Sequence, residues 1–136
     1  MDIRKYIGIP FKDHACGFDG CDCYGLVRLI YREELGLELP YLGDRYSHAF
    51  KRLEIGPMPG KAVSEGWAVD VTSLPVREFD VLVFARGGIE YHLGIAIDDY
   101  RFLHVIDGTD ACVEHFASMR WVRRFKRRLR HANFLR

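Results

Sequence analysis

Cys23 is the side chain in this 136-residue sequence best placed for covalent chemistry. It follows Asp22, a residue type that caps helices by accepting hydrogen bonds from first-turn N–H groups. It precedes Leu26, Leu29 and Ile30, with Val27 beside them, at the three- and four-residue spacing of an amphipathic helix. The spacing therefore places Cys23 at the first helical position. There the partial positive charge of the helix end lowers a thiol's pKa, and the thiolate is the nucleophilic form. First-turn N–H groups can also hold a developing oxyanion. Gly25 costs a helix about 1 kcal/mol against Ala, and close approach of a substrate or of another strand would explain it. The plainer alternative is that Cys23 is a small buried hydrophobe.

A thiol nucleophile needs a base, and the base needs an orienting group. His92 opens the run His92-Leu93-Gly94-Ile95-Ala96-Ile97. Strand alternation puts His92, Gly94 and Ala96 on one face, and Leu93, Ile95 and Ile97 on the other. The small residues beside the imidazole leave a shelf on which a helix end could sit. His104 lies on the next predicted strand. If the intervening loop is centred on Asp99, His104 faces Gly94 and is a diagonal neighbour of His92, at roughly 7–8 Å between backbones, which side chains can bridge. A shift of one residue would turn His104 to the opposite face. The alternative for His104 is a hydrogen-bonded core histidine. His48, His115 and His131 read as solvated or structural.

The same cysteines admit a metal reading. His14, Cys16, Cys21 and Cys23 offer four ligands within ten residues, and tetrahedral zinc accepts such a set. The Cys21-x-Cys23 spacing is tighter than zinc knuckles use, and no second cysteine pair follows. The favoured expectation is accordingly no metal and no cofactor. A Cys16–Cys21 or Cys21–Cys112 disulfide is also open on sequence grounds.

The elements that must hold these residues follow from punctuation and periodicity. Residues 1–20 read as loop. The Asp22 helix ends at Leu35-Gly36, with Pro40 beyond it. A second helix is expected over Asp44–Leu53, broken by Gly56-Pro57-Met58-Pro59-Gly60. Trp67 and Val69 belong to a short strand or a packed loop. Strands are expected over Asp80–Ala85, His92–Ile97, Phe102–Ile106 and Cys112–Phe116. Trp121, Val122, Phe125 and Leu129 have helical spacing, and His131–Leu135 reads as a terminal strand. Helix first and antiparallel strands second make an α+β layout.

Composition sets the frame. The length suits one domain, residues 1–136. At 49% hydrophobic and 29% charged, the chain is neither disordered nor a disulfide-dense miniprotein. No apolar run is long enough to span a bilayer. Met1-Asp2-Ile3-Arg4-Lys5 is not followed by an apolar stretch, so no secretory signal is read and cytoplasmic synthesis is expected. The net charge of +1 hides a split, because residues 115–136 hold eight Lys and Arg and no acid. This basic segment reads as a solvated helix face pairing with the acidic body, rather than as a nucleic-acid or polyanion contact.

Five short stretches together resemble one family. Asp22-Cys23-Tyr24-Gly25-Leu26-Val27 looks like the nucleophile motif of the papain-like NlpC/P60 cell-wall cysteine peptidases. Gly8-Ile9-Pro10-Phe11 resembles that family's Gly-x-Pro-Tyr lead-in. Phe79-Asp80-Val81-Leu82-Val83-Phe84 and His92-Leu93-Gly94-Ile95-Ala96-Ile97 resemble its two strand motifs. Leu103-His104-Val105 matches the place of its third polar residue. The string from Asp22 to Pro40 is most similar to the phage-tail branch.

The resemblance implies a papain-like fold, with the nucleophile's helix packed on an antiparallel sheet. It implies hydrolysis of peptidoglycan stem peptides, commonly between D-glutamate and diaminopimelate or lysine. Cys23 would attack, His92 would carry the proton and His104 would orient His92. Asp22, Tyr24, Gly25 and Phe11 would support substrate or oxyanion. Phe11 stands where the family usually carries a Tyr, so Tyr6 or Tyr24 would supply the missing hydroxyl or activity would be weakened. The implied partners are the stem peptide and phage tail proteins, with a virion as the destination. The alternative is a weakly active or inactive structural tail-assembly protein of the same fold.

Overall fold

The computed structural model describes residues 1–40 and 58–135. The helix expected over Asp44–Leu53 lies outside them. The N-terminal stretch is mostly loop, with a small hairpin of β1 (Cys16–Gly17) and β2 (Gly20–Cys21). Helix α1 (Cys23–Leu35) follows at once. Asp22 caps its start, accepting from the Gly25 N–H at 2.7 Å. Gly36 ends it at φ 65°, a left-handed conformation that glycine adopts without a Cβ penalty. The Gly36 N–H donates to Arg32 and the Leu37 N–H to Tyr31, satisfying the last carbonyls.

Met58-Pro59-Gly60 lies at the start of a described helix. It opens α2 (Met58–Ser64), because a proline in the first turn has no N–H to leave unsatisfied.

Six strands form one antiparallel sheet: β3 (Ala68–Asp70), β4 (Val81–Arg86), β5 (Ile89–Ala96), β6 (Arg101–His104), β7 (Cys112–His115) and β8 (Phe125–His131). Their spatial order is β3-β8-β4-β5-β6-β7. The helix expected from Arg120 onward shrinks to α3 (Met119–Val122), and Phe125–His131 is β8. Tertiary demand overrides the local period here. Leu129 pairs with Val81 and joins the core, while Arg128 and Arg130 close on the buried Asp80 carboxylate. β8 ends at His131, and Ala132–Phe134 is a single 3-10 turn rather than the expected strand.

The sheet has two covered faces. Val83, Leu93, Ile95 and Leu103 share the main core with Leu26, Val27 and Ile30 of α1. On the other face Leu82, Phe84 and Phe102 pack with Trp121 of α3. His92 stacks on this second group, 5.4 Å from the Trp121 ring and 5.7 Å from Phe84. The expected shelf beside His92 is therefore occupied. A Cβ on Gly94 would come within 2.5 Å of the Phe102 ring. Gly94 makes room for Phe102, and α1 packs on the opposite face.

Candidate active site

Asp22 fixes the start of α1 from two sides. One carboxylate oxygen caps Gly25, and the other accepts from the His14 N–H at 2.9 Å. Asp22 is buried and Cys23 beside it is 6% exposed. Both border a cavity that His92, Tyr91 and Phe11 also line. The cavity thus brings together Cys23, at the start of α1, and the first histidine of the predicted pair.

The register of β5 on β6 pairs Ile95 with Leu103 and Ala96 with Phe102. This is the pairing about Asp99 that keeps His104 on the His92 face. His92 Nε2 lies 2.8 Å from His104 Nδ1, and His104 Nε2 lies 2.6 Å from Glu114 Oε2. The chain of contacts assigns the protons. A carboxylate only accepts, so His104 carries its proton on Nε2. Its Nδ1 is then an acceptor, and His92 donates to it from Nε2. That leaves the lone pair of neutral His92 on Nδ1, the only ring atom still available as a base.

Both rings are buried. Burial, reinforced by His104 and by the Arg120 and Arg124 guanidinium groups, holds His92 well below the ordinary imidazole range. Burial also lowers His104, against the opposing pull of Glu114. His92 therefore rests neutral at physiological pH, the form that accepts a proton.

Other predicted site residues go elsewhere. The Tyr24 hydroxyl donates to the Pro40 carbonyl at 2.6 Å. Tyr6 donates to Glu34 at 2.9 Å. Neither ring lines the cavity with Cys23, so neither replaces the hydroxyl missing at Phe11. Gly25 has committed its N–H to Asp22. Its missing side chain serves the fold, since a Cβ there would fall 1.8 Å from the Ala15 carbonyl oxygen. Of the two explanations for this glycine, close approach of another segment is the one that applies. Phe11 does border the cavity, held by its N–H to the Thr109 carbonyl.

The four cysteines sit as follows. Cys16 and Cys21 face each other across β1 and β2, and all four cysteines are free thiols. Burial pushes Cys21 up to about 12, and its Sγ donates to the Gly17 carbonyl. Among the described residues, His14, Cys16, Cys21 and Cys23 do not gather their ligand atoms into one set.

Three features escaped the sequence reading. Glu114 was unmarked, although it alternates with Cys112 on a strand that the Asp107-Gly108 turn returns beside His104. Tyr91 lines the cavity because β5 bulges there: Phe84 pairs with His92 and Ala85 with Glu90, leaving Tyr91 extra. Its hydroxyl accepts from Arg124 at 3.0 Å. Arg120 and Arg124 also border the cavity, each over the Trp121 ring. Only a knowledge of where β8 runs could have brought those arginines here.

Comparisons with known proteins identify the family and the fold. The sequence profile of the NlpC/P60 family matches residues 8–130. The murein DD-endopeptidase MepS/murein LD-carboxypeptidase of Escherichia coli K12 is 27% identical over 118 residues, 87% of this chain and 53% of that protein. The chain thus spans about half the length of the curated relatives it matches. Among solved structures, the NlpC/p60 domain of the peptidoglycan hydrolase SagA gives a TM-score of 0.62 at 21% identity, covering 93% of this chain and 91% of that one. An NlpC/P60 family protein from Bacillus cereus ATCC 10987 gives 0.66 at 21% identity, covering 93% of this chain and 36% of that one. These two likenesses speak for the fold, and the profile spans nearly the whole α+β unit. The chain belongs to the NlpC/P60 family.

Proposed function

We propose that this chain is a cysteine peptidase that hydrolyses amide bonds in peptidoglycan stem peptides. The observation that carries the reading is the line Glu114–His104–His92, which ends at the cavity bordered by Cys23. Family membership and the murein hydrolase names of the Escherichia coli relatives supply the substrate class.

In this mechanism His92 takes the Cys23 proton on Nδ1 as sulfur attacks the scissile carbonyl carbon. The oxyanion forms at the N-terminus of α1, where the helix field favours negative charge. Collapse breaks the C–N bond, and His92 returns the proton to the leaving amine. A water, deprotonated by His92, then attacks the thioester; the acid leaves and the Cys23 thiol is restored. His104 and Glu114 act through His92 as positioning residues. Asp22 contributes by fixing the helix start, and Phe11 as an apolar wall.

The finer parts of the reading are proposals of the same kind. The bond is taken to be that between D-glutamate and diaminopimelate. Residues 1–136 are taken as one NlpC-like unit, made in the cytoplasm and carried on a phage or prophage tail. The tail assignment rests on the string from Asp22 to Pro40, and detection of the chain in purified particles tests it. For the activity, purified muropeptides are digested and the products identified by mass. Wild type is expected to release the glutamyl-linked fragment, and Cys23→Ala, with unchanged circular dichroism, to release none. Equal product from Cys23→Ala would remove the assignment; cleavage at a D,D cross-link instead would correct the bond.

A second reading, a weakly active or inactive structural tail-assembly protein of the same fold, is favoured by Phe11, which brings no hydroxyl to the cavity. It predicts that muropeptide turnover by wild type stays at or near that of Cys23→Ala.

A further inference from the structure

Cys112 has no part in the proposed reaction, yet it stands beside its machinery. In the β6–β7 register it lies directly opposite His104. Its Sγ is 3.8 Å from His104 Nε2, and Glu114 Oε2 is 2.6 Å from the same nitrogen. The three ligand atoms all lie within 4.8 Å of one another. Among the described residues β7 is one of the two edge strands of the sheet. Cys112 and Glu114 are partly exposed, and neither lines the cavity that Cys23 borders; Arg120, which does, lies 3.9 Å from Glu114 Oε1.

We infer that His104, Cys112 and Glu114 form a binding site for zinc or a similar borderline-soft divalent cation, and that its occupation switches the His92 base off.

The donor set is one imidazole, one thiolate and one carboxylate, which suits zinc with a water in fourth place. Tetrahedral bonds of about 2.0–2.3 Å place ligand atoms roughly 3.4–3.6 Å apart. The sulfur is already near that spacing. Glu114 must open by somewhat less than an ångström, a side-chain movement at a partly exposed edge.

The switch follows from proton positions. Metal takes the Nε2 lone pair of His104, so the ring's proton must sit on Nδ1. The hydrogen bond to His92 then reverses, with His104 Nδ1 donating to His92 Nε2. Neutral His92 now carries its own proton on Nδ1, the atom that must accept from Cys23. Binding releases one proton to solvent, that of the Cys112 thiol; the imidazole protons only change nitrogen. No bond to substrate is involved.

The binding half stands apart from the proposed function, and the inhibition half rests on it. The test therefore has two arms. In the first, Cys23→Ala protein is titrated with cobalt(II), and thiolate-to-cobalt absorption is recorded. The band is expected in Cys23→Ala and absent in the double variant Cys23→Ala/Cys112→Ala. No band in the first, or an undiminished band in the second, overturns the site, whether or not the chain hydrolyses anything. In the second arm, muropeptide hydrolysis is read as the ratio of rate with zinc to rate with chelator, for wild type and for Cys112→Ala. Wild type is expected to lose about a hundredfold, the scale of a general base, reversibly. Cys112→Ala is expected to need at least about tenfold more zinc for the same loss. Equal zinc sensitivity in both overturns the switch.

Discussion

At Gly25 the residue scale separates fold from chemistry. A methyl group there would meet the Ala15 carbonyl at 1.8 Å and the Asp22 carboxylate at 3.0 Å. Gly25→Ala must push the β1–β2 segment off the helix start, breaking the cap that holds Cys23. A loss of about 3 kcal/mol is expected from overpacking combined with the lost cap, read as a lowered urea midpoint. Glu114 makes the complementary case, because it acts on the reaction without touching the cavity. An amide in its place can donate as well as accept, so it no longer fixes the His104 tautomer. Glu114→Gln is expected to lower kcat about 10–100-fold with KM little changed; a rise in KM alone would argue against orientation. Type and spacing single out Cys23, His92 and His104 as candidates, and the fold sets His92 against His104 at a cavity that Cys23 borders. Tyr24 misled because its neighbour in sequence faces the cavity while its own ring turns into the core, a distinction that one helical step of about 100° decides.

β8 is the element where local pattern and structure part most clearly. Trp121, Val122, Phe125 and Leu129 satisfy a helical period, but two of them belong to a strand. What decides the matter is remote: Asp80, 1% exposed, accepts from Arg128 Nε at 3.0 Å and from Arg130 Nε at 2.7 Å. Those arginines also satisfy the carbonyls of Val71, Leu74 and Pro75. Asp80 thereby ties β8 to β4 and to the loop before it. Removing the carboxylate strands two buried cations, so Asp80→Ala is expected to cost about 3–5 kcal/mol. Chemical denaturation checks this, and a loss below about 1 kcal/mol would show that the network is not a tie. By contrast the β5–β6 pairing was readable in advance, since only one parity of register keeps both histidines on one face.

Across the whole molecule, the charge split turns inward. Arg127 pairs with Glu90 through two bonds of 2.9 Å, and Arg128 and Arg130 with Asp80. The basic segment neutralises its own body, as expected, but as a central strand rather than a solvated helix face. Arg120 and Arg124 are the part that reaches the cavity. Burial of the histidines also sets a pH response. His92, His104 and His131 are all lowered from 6.5, chiefly by burial. Below about pH 6.5 the unfolded chain takes up protons that the folded chain refuses, so stability falls as pH falls. Asp98, lowered to about 2 mainly by the Tyr100 and Arg101 backbone N–H groups, contributes only to a later loss below about pH 4. Urea midpoints are expected to be flat between about pH 7 and 8 and to drop between about pH 6.5 and 5. A flat profile across that window would contradict the buried, neutral histidines.

The central claim is that His92 activates Cys23. Alkylation at pH 7 by a small electrophile, followed by peptide mapping, measures each thiol separately in wild type and His92→Ala. The account predicts that Cys23 reacts at least about tenfold faster than Cys16, Cys21 or Cys112, and that His92→Ala removes this advantage while leaving the other three unchanged. A Cys23 rate no greater than that of its neighbours, or one indifferent to His92, would contradict it.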